Sequence, residues 1–187
     1  MVPILSLWLP ILVSAIFVFI LSSIIHMALG YHANDFKKLP DETAAADALR
    51  KLNLPDGDYA LPKAGSMKEM SSPEYTEKVR KGPNAMITIW GGTEPSMTKF
   101  MVLWFLYSVL VGVFAAYVAG RALEPGAHYL AVFRFAGVTA FACYAIADLQ
   151  RLIWWRQPWS RTFKNLFDGL LYAILTAGTF GWLWPET

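Results

Sequence analysis

A chain of 187 residues with 56% apolar side chains, eight tryptophans and a positive mean hydropathy is not composed like a soluble domain of its size. A formal charge of +2 gives no reason to expect nucleic acid as a partner, and a single cysteine, Cys143, excludes an intrachain disulfide or a two-thiol relay. Four windows, 10–29, 100–120, 129–147 and 166–184, are apolar over about the 20 residues a helix needs to cross a bilayer core.

The first window follows MVPILSLWLP, which holds no Lys or Arg. A cleaved signal peptide carries a basic stretch ahead of its apolar core, so residues 1–30 are expected to remain as the first transmembrane helix. Pro10 suits a first helical turn, with Trp8 at the interface just outside; a kink at Pro10 within a longer helix is the alternative. His26 lies near the inner end of this helix and His32 just beyond it. Six residues apart on a helix, the two imidazoles fall on different faces, and His128 belongs to the far side of the bilayer. No haem, cofactor or metal site follows from the histidine spacing, and metal binding by His32 with nearby Asp35 is only a weak alternative.

Residues 31–98 form the one sizeable polar stretch, with acids and bases in balance. Positions 40–52 place acids first and bases last, as a helix dipole favours. Leu54-Pro-Asp-Gly-Asp is a turn, 59–61 a short strand, and Ser72-Pro-Glu opens a second helix that Gly82 stops. Residues 85–90 read as a strand ended by Gly91-Gly92. The segment is expected to be a small α+β insertion, too poor in large apolar residues to fold far from a supporting surface.

The second window carries Ser108, Gly112, Ala116 and Gly120, small residues at every fourth position. Such a ladder lines one helix face and lets a neighbouring helix approach closely. Glu124-Pro-Gly-Ala-His128 is a tight turn into the third window, where Arg134 either snorkels outward or pairs with Glu124. Asp148 near the inner end opposes the dipole of a helix that stops there, so the third helix is expected to continue to about Gln157, pairing Asp148 with Arg151 one turn on. Pro158 ends it and Ser160 is placed to cap the next. Between them, Arg151, Trp154, Trp155, Arg156, Trp159, Arg161 and Lys164 have the aromatic and cationic mixture of a segment lying among lipid headgroups. The fourth window holds the second ladder, Gly169, Ala173, Ala177 and Gly181, with Asp168 beside it.

Basic residues flank the inner ends: Lys37 and Lys38, then Arg80, Lys81 and Lys99, then the arginine-rich loop. The opposite side has Arg121 offset by Glu124 and a terminal WPET. The positive-inside rule then places the insertion in the cytoplasm and both termini outside. On that topology His26, Asp148, Arg151 and Asp168 gather at the inner face, either as a site for a proton, cation or lipid headgroup or as interfacial pairing that fixes helix register. No Gly-x-Ser-x-Gly, phosphate loop, His-Glu-x-x-His or cysteine relay is present, and no catalytic residue can be named.

The phrases WFLYSVLVGVFAAYVAGRALEPGAHYLAVFRFAG at 104–137 and FDGLLYAILTAGTFGWLWP at 167–185 resemble a family of uncharacterised bacterial four-helix inner-membrane proteins. MALGYHANDFKKLP at 27–40 and SMKEMSSPEY at 66–75 resemble the same family. The resemblance implies a bacterial inner-membrane location and carries no activity. The expected fold is an all-α transmembrane four-helix bundle with an α+β insertion between its first two helices. The leading expectation for function is a non-catalytic accessory, scaffold or assembly subunit, or a self-associating bundle, with two packing ridges of which one is free for a partner. A small oligomeric transporter or channel using Asp148 and Asp168 is the alternative, and anionic-lipid binding or modification at the Arg/Trp loop a third.

Overall fold

The computed structural model describes every residue except Thr93 and divides into two compact units, Met1–Phe36 with Ser96–Thr187, and Lys37–Pro95. In chain order, α1 is Trp8–Ser23, entered through a 3-10 turn at Ile4–Leu7 and prolonged by a π turn at Ile24–Ala28. The second unit contains α2 (Glu42–Lys51), β1 (Gly57–Leu61), α3 (Met67–Met70), α4 (Pro73–Lys81) and β2 (Ala85–Ile89). The first unit resumes with α5 (Met97–Ala122) and α6 (Tyr129–Phe141), runs through a π turn at Ala142–Ile146 into α7 (Asp148–Trp155), and ends with α8 (Trp159–Trp182).

Three rods, Ile4–Ala28, Met97–Ala122 and Tyr129–Trp155, are long and apolar enough to cross a membrane. At about 1.5 Å per residue the 26 residues of α5 reach beyond a hydrocarbon core of about 30 Å. Their outer faces suit a lipid solvent: Leu12, Ile16 and Ile20 on α1 and Leu103, Leu106 and Leu110 on α5 are all exposed. The fourth long helix, α8, differs from the other three. It starts well before the apolar window 166–184 and carries Arg161, Lys164, Asn165 and Asp168 in its first half. The structure therefore supports a mostly helical membrane protein with three apolar spans, and the fourth crossing is not fixed by length and composition.

The ladders explain how the rods pack. A methyl group added to Gly112 would meet Ile11 Cγ2 at 3.2 Å, and one added to Gly120 would meet the Val2 carbonyl oxygen at 2.6 Å, so the α5 ladder is the seat of α1 and the segment before it. On α8, a Cβ at Gly169 would sit 2.7 Å from Ala145 Cβ, and one at Gly181 would sit 2.6 Å from the Tyr129 ring. That ladder is the seat of α6 and its π turn. Both ridges are occupied within the chain, which removes the reason to reserve one for a partner. The core at one end joins Leu7, Ala116, Ala119, Val132, Ala136 and Phe180. At the other end it is aromatic, with Tyr172 packed beside Trp104 and Tyr144.

In the second unit β1 and β2 pair antiparallel, with Gly57 opposite Ile89 and Leu61 opposite Ala85. Ser72 caps α4 by accepting from the Tyr75 N–H, and Gly82, at φ +61°, ends it. None of its three helices buries a residue. Its extent, Lys37–Pro95, leaves residues 31–36 with the bundle, and those residues matter most below.

Candidate functional site

Gly30 adopts φ +65°, a left-handed conformation open to glycine at little steric cost, and ends the first rod. Two turns follow, with Ala33 N–H donating to the Gly30 carbonyl at 3.0 Å and Asp35 N–H to the His32 carbonyl at 3.0 Å. The reversal lays the His32 ring against His26, centroids 4.6 Å apart, so six residues of separation do not place them on different faces. A helical repeat would have separated them, but the helix has already ended.

The facing wall is the first half of α8, where Lys164 and Asp168 are four residues apart and share a face. His32 Nε2 lies 2.7 Å from Asp168 Oδ2, and His32 Nδ1 lies 2.6 Å from Asp35 Oδ2. Lys164 Nζ donates to Asp35 Oδ1 and to the Tyr31 carbonyl, each at 2.6 Å. The Tyr31 hydroxyl donates to Asp168 Oδ1. Side chains of Asp168 and Asp35 are only 5% and 8% exposed, and that of His32 15%, so these are desolvated charges that require partners. Burial pushes the Asp35 carboxyl up, but hydrogen bonds and positive charge from Lys164 and His32 outweigh it and hold it below the usual carboxylate range. Asp35 is an anion here.

Of the four residues expected together, the structure joins His26 and Asp168 through His32. Asp148 takes other partners: its Oδ2 accepts from Gln157 Nε2 at 3.0 Å and from Asn165 Nδ2 at 2.7 Å, tying the α7–α8 connection. Arg151 is exposed, and among the described residues it has no ion pair, so the expected Asp148–Arg151 pair is replaced by uncharged amides. Amides reach because Arg156, at φ +52°, turns the chain and brings Gln157 back under Asp148. Ser160 does not cap α8, whose N-cap is Pro158.

The headgroup candidates divide in the same way. Arg151, Trp154, Trp155, Arg156 and Trp159 are exposed, whereas Arg161 lies over the Phe36 ring at 4.3 Å and Lys164 is committed to Asp35. Arg134 is exposed and Glu124 pairs with the Met1 ammonium instead. Cys143 lies in the π turn, and its carbonyl accepts from the Tyr107 hydroxyl at 2.6 Å. A π turn leaves the regular ladder of backbone bonds interrupted, which accounts for a side-chain donor there.

Tyr31 was not distinguishable as a site residue by sequence, His32 and Asp35 stood only as a weak pair, and Lys164 stood only among the headgroup candidates. Gly30 after an apolar run is a helix-stop signal and implies that His32 leaves the helix axis. Nothing local indicates a partner more than a hundred residues on. No family model, curated protein or solved structure matches this chain.

Proposed function

We propose that this chain is a non-catalytic multi-pass membrane protein that holds a cation at one end of its helical bundle. The observation that carries this reading is the charge inventory of the buried site. Two carboxylates, Asp35 and Asp168, face one ammonium, Lys164, which already spends its bonds on Asp35 and the Tyr31 carbonyl. Asp168, in the same desolvated place, keeps only the Tyr31 phenol and the His32 imidazole, whose two ring nitrogens are shared between the two carboxylates. Such an arrangement attracts a cation and repels an anion.

The test is thermal unfolding of the detergent-solubilised protein against a panel of monovalent and divalent cations. A site holding a cation at about 100 times its Kd stabilises by ~2.7 kcal/mol. The wild type is expected to show such a rise with at least one cation, and Asp168→Asn to lose it. No rise with any cation overturns the reading.

A fourth crossing by α8 is part of this proposal. Phe163, Phe167, Leu170, Ile174 and Trp182 form an exposed apolar stripe along it, suited to lipid once its charged face is turned inward. Basic residues concentrated at the site end then favour the cytoplasm for that end and the outside for both termini, in the bacterial inner membrane that the family resemblance implies. An impermeant label that reaches Lys37–Pro95 from outside intact cells overturns the orientation.

One observation favours transport as a second reading. The Tyr172 hydroxyl is buried without a hydrogen-bond partner among the described residues, one turn along α8 from Asp168 on the same face. It extends the polar surface from the site into the bundle. Cation flux into proteoliposomes that survives Asp168→Asn unchanged would end that reading.

A further inference from the structure

We propose that His26, His32 and Asp168 bind a first-row divalent transition-metal ion, with Asp35 orienting His32 from behind. The inference rests on the cation-holding reading and names the class of cation.

The donor set selects the class. His26, His32 and Asp168 offer two imidazoles and a carboxylate whose ligand atoms lie within 4.8 Å of one another. Imidazole nitrogen with carboxylate oxygen suits zinc and its neighbours in the first row, whereas magnesium and calcium take all-oxygen shells. Each donor is also prepared for the role. Asp35 Oδ2, 2.6 Å from His32 Nδ1, holds the Nδ1 proton and so aims Nε2, the nitrogen a metal would take, at Asp168. The 2.7 Å between Nε2 and the carboxylate oxygen is a span that a proton bridges in the free protein and that a metal ion can take over by displacing that proton. The carboxylate is held in turn, since the Tyr31 hydroxyl engages Asp168 Oδ1 and leaves Oδ2 to face the imidazole.

Metal entry requires a small opening. Tetrahedral bonds of about 2.0–2.1 Å keep donors about 3.3 Å apart, so His32 Nε2 and Asp168 Oδ2 have to separate by about 0.6 Å from their present 2.7 Å. His26 is exposed on the π turn Ile24–Ala28, and its ring can swing to close the shell. Lys164 keeps Asp35 in place through a 2.6 Å bond to its Oδ1. Three protein ligands leave a further position for water or an exchangeable donor, the arrangement of an open site rather than a closed structural one.

The experiment uses the whole chain in mild detergent, stripped with chelator and titrated with Co2+, whose ligand-field absorption reports the ligands directly. The wild type is expected to take one Co2+ with an imidazole-type visible spectrum, displaced by Zn2+ and not by Mg2+ or Ca2+. His26→Gln and His32→Gln lose the spectrum, while His128→Gln, at the opposite end of the bundle, keeps it. Asp35→Asn retains the spectrum and weakens binding by about 10–100-fold, the effect of a positioning residue. Because His26 is exposed, His26→Gln keeps helical circular dichroism and decides the matter even where His32→Gln fails to fold. Wild-type affinity in His26→Gln overturns the site, and displacement by Mg2+ as readily as by Zn2+ overturns the metal class. Stabilisation by Na+ or Mg2+ through Asp168 with no Co2+ spectrum overturns this inference and leaves the cation reading standing. No response to any cation removes both.

Discussion

The two ends of the bundle are closed by different chemistry. At the end where the chain termini meet, backbone groups make the seal: Val2 N–H donates to the Gly120 carbonyl and Gly126 N–H to the Pro185 carbonyl, each at 2.8 Å, and Trp184 Nε1 reaches the Glu124 carbonyl at 3.0 Å. Beneath them Leu7, Ala115, Ala119, Val132 and Phe180 are wholly buried. At the opposite end ionisable side chains make the seal, through Asp168, His32, Asp35 and Lys164. Backbone bonds between apolar helices are neutral and indifferent to ions. A ring of buried carboxylates, imidazoles and an ammonium is stable only while its charges balance. The first seal holds no buried charge, whereas the second depends on buried charges staying in balance.

That contrast can be broken from either side. The largest stability effect is expected at the apolar end. Phe180→Ala removes a fully buried ring and costs about 3 kcal/mol, the lower part of the usual range because lipid as well as water receives the lost contacts. Thermal unfolding in detergent measures it, and the cation-dependent rise should survive. Loss of both together would mean that the ends act as one unit. At the charged end, Lys164→Met leaves Asp35 with His32 alone and is expected to cost about 1–2 kcal/mol without cation, discounted because the lysine side chain is 28% exposed. The same change removes a repelling charge, so the cation-induced rise should grow rather than shrink. A rise that shrinks would place the lysine among the groups that hold the ligand. The smallest effect belongs to Arg156→Gly, which relieves a left-handed residue at φ +52° and should stabilise by up to about 1 kcal/mol with no change in cation response. A changed response would tie the α7–α8 turn, and Asp148 with it, to the site.

The difference between the ends also separates what was legible from what was not. Gly112, Gly120, Gly169 and Gly181 belong to repeats of four, and a repeat of four is a face on any helix whatever the helix touches. Ser72 with Pro73, and Gly82 nine residues after Pro73, mark the start and stop of α4 by chemistry confined to a few neighbouring residues. Asp148 and Asp168 were equivalent by the same standard: one acid just follows an apolar window, the other lies two residues inside one, and both fall at one level of the bilayer. Their environments nonetheless diverge, with two amides around the first and a phenol and an imidazole around the second.

The sequence by itself determined the apolar rods, the small-residue faces on two of them, the polar insertion and the helix stop at Gly82. Each of these follows from hydrophobic periodicity or from a single residue's backbone freedom, and both are local. Tertiary structure alone decided that His32 returns to His26 and then meets Asp168, 136 residues away. No periodicity spans such a gap. The choice among chemically equal carboxylates is made by which partners the packed helices bring to each, two amides to Asp148 and a phenol and an imidazole to Asp168.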